Sequence, residues 1–252
     1  MTEKQNYLFI SGCPRSGTTA LVNLLNHHPL IAIGMERYKH YATKENIHKI
    51  NPDAFSSEYF FDLKKEQTNI MWETFYKNLV SKYQLRTNVL LGDKYPHYYQ
   101  FYDQINEQFN NVKWIFIIRD VVDVALSYNV RAANPQDHWP ENADYRKAVI
   151  HWNDSLSKTW KYIKNSQQDN LFVCEYERLF AYDRDHFDAL IDFLEIDSNF
   201  EFESLYSQST KNWEQRQSRK AQIDNQQLEY INAHANIKLK DNLLHKFDLS
   251  KR

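Results

Sequence analysis

The chain is expected to fold as an α/β domain built on a parallel, doubly wound sheet of the P-loop type, flanked by helices. Three observations predict it. Short apolar runs of strand length alternate with longer stretches of helix length. A glycine-bracketed run, Gly12-Cys13-Pro14-Arg15-Ser16-Gly17-Thr18-Thr19, follows the first apolar run and opens the first helical stretch. The 252 residues contain only four glycines, and the remaining two, Gly34 and Gly92, also precede charged residues, Glu36 and Asp93-Lys94.

The elements follow in order. Tyr7-Leu8-Phe9-Ile10 reads as a buried strand. A helix is expected over 16–26, with Leu21, Leu24 and Leu25 at helical spacing. His27-His28-Pro29 closes it, and the two histidines read as favourable charges at the helix C-terminus. The stretch 38–69 is polar, aromatic and irregular, a candidate lid or acceptor-binding insertion. Helices are expected over 70–82, 98–109, 121–131, 145–165 and 184–194, and strands at Val89-Leu90-Leu91, over 113–118, and at Leu171-Phe172-Val173-Cys174. Asp120 is placed to cap the 121–131 helix, with Asp123 in its first turn. Beyond Phe200 the chain turns polar and carries one more helix near 225–236, so 200–252 reads as a C-terminal segment covering the site. No internal repeat interrupts this pattern, and residues 1–252 are expected to form a single domain.

Composition narrows the function classes. Lys and Arg number 31 against 33 Asp and Glu, a net charge of −2, so no general attraction to nucleic acid or to a membrane surface is implied. The apolar runs are too short to span a bilayer, and Met1-Thr2-Glu3-Lys4-Gln5-Asn6 is not an apolar leader, so a cytoplasmic location is expected. Two cysteines, Cys13 and Cys174, are too few for a disulfide framework and read as reduced, buried thiols. Neither C-x-x-C nor H-E-x-x-H occurs, and no metal is expected.

The glycine-bracketed run carries the chemistry. It has P-loop spacing, but Thr18 stands at the lysine position and a cation appears three places earlier as Arg15. A strand, a glycine turn and a helix start leave several backbone N–H groups converging on one anion. A second anion site is read from Ile117-Ile118-Arg119-Asp120, where a strand ends on arginine. Ser127 lies about two helical turns beyond Arg119, so the fork and the hydroxyl can meet on one phosphate.

Pro14-Arg15-Ser16-Gly17-Thr18-Thr19 resembles the 5′-phosphosulfate loop of sulfotransferases that use 3′-phosphoadenosine 5′-phosphosulfate (PAPS). Arg119 with Ser127 is similar to their 3′-phosphate motif. Gly34-Met35-Glu36-Arg37 resembles a Gly-Glu-Glu-Thr-Arg segment of protein-tyrosine sulfotransferases, which implies that Glu36 is the catalytic base. Lys94-Tyr95-Pro96 resembles the family's Lys-x-Pro element, Trp152-Asn153 also matches, and Tyr176-Glu177-Arg178-Leu179 resembles its Tyr-Glu-x-Leu, whose Tyr contacts adenine. Arg219-Lys220-Ala221 is similar to the Arg-Lys-Gly of cytosolic sulfotransferases, with Ala in place of Gly. The resemblance spans residues 7–195 and is closest to the tyrosine sulfotransferase-like and bacterial members.

What the resemblance implies is a donor site of Arg15, Ser16, Gly17, Thr18, Thr19, Arg119, Ser127, Tyr176, Arg219 and Lys220. It implies a catalytic set of Glu36, Arg15 and Lys94, with His97 as the rival base. A sulfuryl group carries less charge than a γ-phosphoryl group, which fits the loss of the P-loop lysine. The acceptor class is a hydroxyl or amine on a small molecule, carbohydrate or peptide. The competing readings are a nucleotide or small-molecule kinase, marked by Mg²⁺ dependence, and a nucleotide-binding module without turnover.

Overall fold

A computed structural model describes residues 5–63, 73–85, 89–165, 169–181, 183–197, 202, 204, 206–207 and 223–246. A five-stranded sheet forms from β1 (Tyr7–Gly12), β2 (Ile31–Met35), β3 (Leu90–Lys94), β4 (Val112–Ile118) and β5 (Leu171–Glu175), in the order β2-β3-β1-β4-β5. Pairing of β3 with both β1 and β2 is parallel. The expected parallel α/β architecture is therefore present. Four of the strands lie where the apolar runs predicted them. β2 is the fifth and was not expected, because Ile31-Ala32-Ile33-Gly34-Met35 is short, ends on a glycine and methionine, and shows no alternation. Its pairing with β3 makes it a strand.

The chain divides into two compact units. The first comprises Met1–Ser11, Thr18–Ile115 and Gln168–Phe172, and the second Gly12–Gly17, Phe116–Gln167 and Val173–Arg252.

In the first unit an aromatic core sits on β1. Phe9 is fully buried and meets Phe55, Tyr98, Phe109 and Trp114 at centroid distances of 5.8, 5.6, 5.4 and 5.2 Å. Edge-on contacts of this kind add to area burial. The helix after the glycine run, α1 (Thr18–Leu25), buries Leu21, Leu24 and Leu25 as their spacing predicts. Its C-terminal end departs from expectation. His28 is buried and its Nδ1 accepts the Leu30 N–H, so that nitrogen carries no proton and the ring is not a surface cation. The cation there is Lys82, whose ammonium donates to the carbonyls of Asn26, His28 and Ile31.

The described part of the 38–69 stretch is folded rather than loose. Three 3₁₀ turns, Lys39–Tyr41, Ile47–Lys49 and Pro52–Phe55, lead into α2 (Ser57–Phe61), and Tyr38, Ile50, Phe55 and Phe60 are buried. The predicted 70–82 helix is two short helices, α3 (Glu73–Lys77) and α4 (Val80–Leu85), and the 98–109 helix is a 3₁₀ turn over Pro96–Gln100 followed by α5 (Tyr102–Asn106). Phe101, at φ −135°, breaks the second of these because its backbone leaves the helical region.

The second unit packs α6 (Val121–Ala132) on α7 (Tyr145–Asn165) and adds α8 (Tyr176–Phe180), α9 (Arg184–Leu194), α10 (Asn225–His234) and α11 (Ile237–Lys246). The Asp120 carboxylate caps α6 by accepting from the N–H groups of Val122 and Asp123, as its position in the sequence predicts. Asn153 on α7 ties down the last two helices: its Nδ2 donates to His234 O and its Oδ1 accepts from Asn236 N, both at 2.8 Å. The two cysteines are free and buried, and burial raises both thiols. Among the described residues, no helix is long and apolar enough to cross a membrane.

Candidate functional site

In a parallel sheet ligands bind outside the carboxyl ends of strands, where connections leave in opposite directions. The strand order places that point at β1 and β4, since β1 connects toward β2 and β4 toward β5. The segments leaving these two ends, 12–17 and 119–120, both belong to the second unit.

There the glycine run forms a tight turn, closed by Ser16 N donating to Cys13 O at 3.0 Å. Arg15 takes φ 71° and Gly17 φ 96°, both left-handed. For arginine that backbone is uncommon and costs energy unless its surroundings hold it, a pattern that collects at functional sites. Gly17 is required twice over: its φ suits glycine, and a Cβ would enter the Tyr176 ring.

The predicted anion contacts are brought together in this unit. Arg15 Nε donates to Ser127 Oγ at 2.9 Å, and Arg119 Nη1 donates to Arg15 O at 3.4 Å. The Arg119 guanidinium lies 4.7 Å from the Tyr176 ring centroid and 3.3 Å from Asp123 Oδ2. Ser127 was expected to share its anion with Arg119; in this structure Arg15 holds the hydroxyl. Tyr176 is buried beside Gly17 and under Arg119. Neighbouring motifs lock Arg119 in place, with Trp152 Nε1 donating to its carbonyl at 3.0 Å and Glu177 Oε1 accepting the Asp120 N–H at 2.9 Å.

Two buried polar atoms here have no partner among the described residues: Ser16 Oγ and Arg119 Nε. Such atoms are few in folded proteins, and each calls for a partner such as a ligand, an ion or water. The donor set is cationic as well. Burial first, and then repulsion from Arg131 and Arg119, lower the Arg15 guanidinium from its usual value. Arg131, whose Nε bonds Asp137 Oδ2 at 2.6 Å, was missed in the sequence. It lies four residues beyond Ser127, on the same face of α6, but a helix-surface arginine carries no signal of its own.

The first unit holds the other predicted set. The register puts Lys94, the last residue of β3, opposite Met35 of β2 and Ile10 of β1. Glu36 therefore emerges beside Lys94. Its N–H donates to Lys94 O at 2.7 Å, and Lys94 Nζ reaches Glu36 Oε1 at 2.9 Å and Thr19 Oγ1 at 3.3 Å. Lys94 is buried, while the Glu36 carboxylate is partly open and also meets Lys39 at 4.0 Å. Glu36 has φ 55°, the second non-glycine site candidate in the left-handed region. Thr18 is buried at the start of α1. The rival base, His97, places its Nδ1 3.3 Å from the Tyr99 hydroxyl. Arg219 and Lys220 lie outside the described residues.

A family model described as "Sulfotransferase family" matches residues 8–201. A protein-tyrosine sulfotransferase of Drosophila melanogaster is 23% identical over 194 residues. That alignment spans 76% of this chain and 38% of the fly protein, so the chain covers well under half of that relative. Among solved structures, a sulfotransferase domain from the curacin biosynthetic pathway superposes with a TM-score of 0.52 at 20% identity, over 79% of this chain and 76% of that one. The sulfotransferase domain of the Synechococcus PCC 7002 olefin synthase gives 0.51 at 22% identity, over 80% and 78%. At these identities the structures establish the shared fold.

Proposed function

The chain belongs to the sulfotransferase family, and from that premise we propose that it moves a sulfuryl group from PAPS to a hydroxyl or amine acceptor by in-line transfer. The observation that carries this reading is the Lys94 ammonium, which holds the Glu36 carboxylate at 2.9 Å and the Thr19 hydroxyl at 3.3 Å. A general base, a cation and the first turn of the loop helix are thus joined in one unit.

Each residue has a stated task. Glu36 takes the acceptor proton as the acceptor oxygen or nitrogen forms its bond to sulfur. The bond between sulfur and the 5′-phosphate oxygen breaks, and the electron pair leaves with 3′-phosphoadenosine 5′-phosphate. Arg15, Ser16 and the loop amides receive the charge that grows on that oxygen, because fixed donors need no reorganisation during the step. Lys94 stabilises the sulfuryl oxygens and keeps the Glu36 carboxylate oriented. Arg119, stacked on Tyr176 and fixed through its carbonyl by Trp152, takes the 3′-phosphate together with Ser127. The unpartnered Ser16 Oγ and Arg119 Nε support this assignment of the donor set. No step in this chemistry calls on a metal, and the cytoplasm is the proposed compartment.

The test is a transfer assay with radiosulfur-labelled PAPS against phenols, sugars, short peptides and amines. Labelled product with any acceptor, formed without added Mg²⁺, is the expected result. Phosphoryl transfer from ATP in the presence of Mg²⁺, with no turnover of PAPS, would establish the kinase reading instead.

A further inference from the structure

Gly92-Asp93-Lys94 drew attention in the sequence for its lysine. The aspartate has the stronger structural signature. Asp93 is fully buried and belongs to the same unit as Glu36. Its two oxygens accept three hydrogen bonds: Arg37 N to Oδ1 at 2.9 Å, Tyr38 N to Oδ2 at 3.1 Å, and the Tyr98 hydroxyl to Oδ2 at 2.6 Å. Two of the donors are the backbone amides that directly follow Glu36. On the preceding side, the Tyr76 hydroxyl accepts from Met35 N at 2.9 Å and lies 3.2 Å from Met35 O. Glu36 itself donates its N–H to Lys94 O at 2.7 Å. The backbone is therefore held at 35, 36, 37 and 38, and the residue in the middle is the one with φ 55°.

A carboxylate buried this deeply is costly unless hydrogen bonds satisfy it. Here it is satisfied chiefly by the turn carrying the base. The spacing of that turn is also explained: a Cβ on Gly34 would come within 2.9 Å of Asp93 Oδ1 and 3.1 Å of Arg37 Cβ, so the carboxylate and the turn can close only over a glycine. Gly34 is needed for a close approach rather than for an unusual φ.

We infer that Asp93 is a positioning residue for the base: its buried carboxylate holds residues 36–38 in the strained turn that aims the Glu36 carboxylate at Lys94. This inference rests on Glu36 acting as the base. The groups facing Asp93 are Arg37 and Tyr38 from the turn after β2, Tyr76 from α3, Tyr83 from α4, Tyr98 from the following 3₁₀ turn, and Lys94 on its own strand. Burial pushes the Asp93 carboxyl up to about 6, against the opposing pull of the Tyr98, Arg37 and Tyr38 hydrogen bonds and the Lys94 charge. A proton on either oxygen would face an N–H or O–H donor. The turn therefore loosens as Asp93 protonates, and turnover falls at acid pH.

The test uses the backbone amides of Arg37 and Tyr38, followed by NMR against pH, alongside turnover. In the wild-type protein both amides titrate with a midpoint near that of Asp93, and the acid limb of turnover coincides with it. Tyr98→Phe removes one bond that favours the ionised carboxylate, so both the amide midpoint and the acid limb move to higher pH. Asp93→Asn abolishes the amide titration and lowers turnover at least tenfold, with donor binding unchanged. If Asp93→Asn does not fold, Tyr98→Phe decides alone. An acid limb unmoved in Tyr98→Phe, or amides that do not titrate, would overturn the inference. Normal turnover in Glu36→Gln with the amide titration intact would instead overturn the base assignment itself.

Discussion

Glu36 and Arg15 share an unusual property. Among the described residues, three non-glycine residues have positive φ, and the other, Glu195, ends a helix. A helix C-terminus commonly adopts this conformation. The other two have no such excuse, and they are the residues proposed to take the proton and to receive the leaving charge. Glu36→Gln keeps the shape and removes the proton acceptor. Turnover is expected to fall by ~10²–10⁴-fold, the usual contribution of a general base, with the dissociation constant for 3′-phosphoadenosine 5′-phosphate little changed. His97→Asn is expected to cost far less, and steady-state kinetics on the pair would distinguish the two candidates. Arg119→Ala is expected to weaken donor binding by about 2 kcal/mol, the scale of a charge-assisted contact, as read by calorimetry. Arg15→Ala should reduce turnover more than affinity, because Arg15 is placed at the growing charge.

In each unit the candidate residues are brought together by the elements that carry them. The parallel register of β2, β3 and β1 brings Met35, Lys94 and Ile10 level, and Glu36 follows Met35 by one residue. A slip of one residue would turn Lys94 to the opposite face of the sheet. In the second unit, α6 starts at the end of β4, and its cap at Asp120 sets the angle at which Arg119 and Ser127 leave. Asp120→Ala removes two capping bonds and is expected to cost about 1 kcal/mol of stability, measured by denaturant unfolding, together with a loss of donor affinity. A second local test is Gly17→Ala. With φ 96° and the Tyr176 ring in the way, the loop cannot keep its form. Loss of donor binding with the far-ultraviolet circular dichroism of the wild type is the expected result.

For the molecule as a whole, donor binding and pH should both register in stability. The product nucleotide, 3′-phosphoadenosine 5′-phosphate, is expected to raise the melting temperature more than ADP or ATP at equal concentration, because a ligand of the native state stabilises it by mass action. Equal protection by ATP would count against the PAPS assignment. The pH dependence has a particular source in His186, which is buried with Nε2 accepting the Glu175 N–H at 3.1 Å. Burial chiefly, with the Arg178 charge, lowers this imidazole to about 4. Between that value and the ordinary histidine range of about 6.5, the unfolded chain binds a proton that the native one refuses, so stability is lost as pH falls. Asp93 acts in the opposite sense over nearly the same window, since its carboxyl is raised. His186→Gln keeps an acceptor and removes the titration. Its urea midpoint should therefore fall less between pH 7 and 5 than that of the wild type.

The sequence by itself determined the architecture and named the candidate residues for the chemistry. Local patterns suffice where their physics is local: apolar runs make strands, an aspartate after a strand caps the next helix, and a glycine-bracketed run makes a tight turn before a helix. Arg15, Arg119 and Ser127 were candidates from residue type and spacing, and Glu36 and Lys94 from the resemblance to sulfotransferases; the fold brings Arg15 to Ser127 and Lys94 to Glu36, and their roles are proposals. What the tertiary structure decided depends on partners distant in sequence. β2 became a strand through its pairing with β3, and its own five residues hold no alternating pattern. His28 lost its expected charge because Leu30 donates to it, and Lys82, from a helix far along the chain, became the cation at the end of α1. Asp93 looked like an adjunct to Lys94 until the fold set it beneath the Glu36 turn, and Arg131 acquired its importance by lying near Arg15. Burial and hydrogen-bond partners set these roles, and both are created only when the chain has folded.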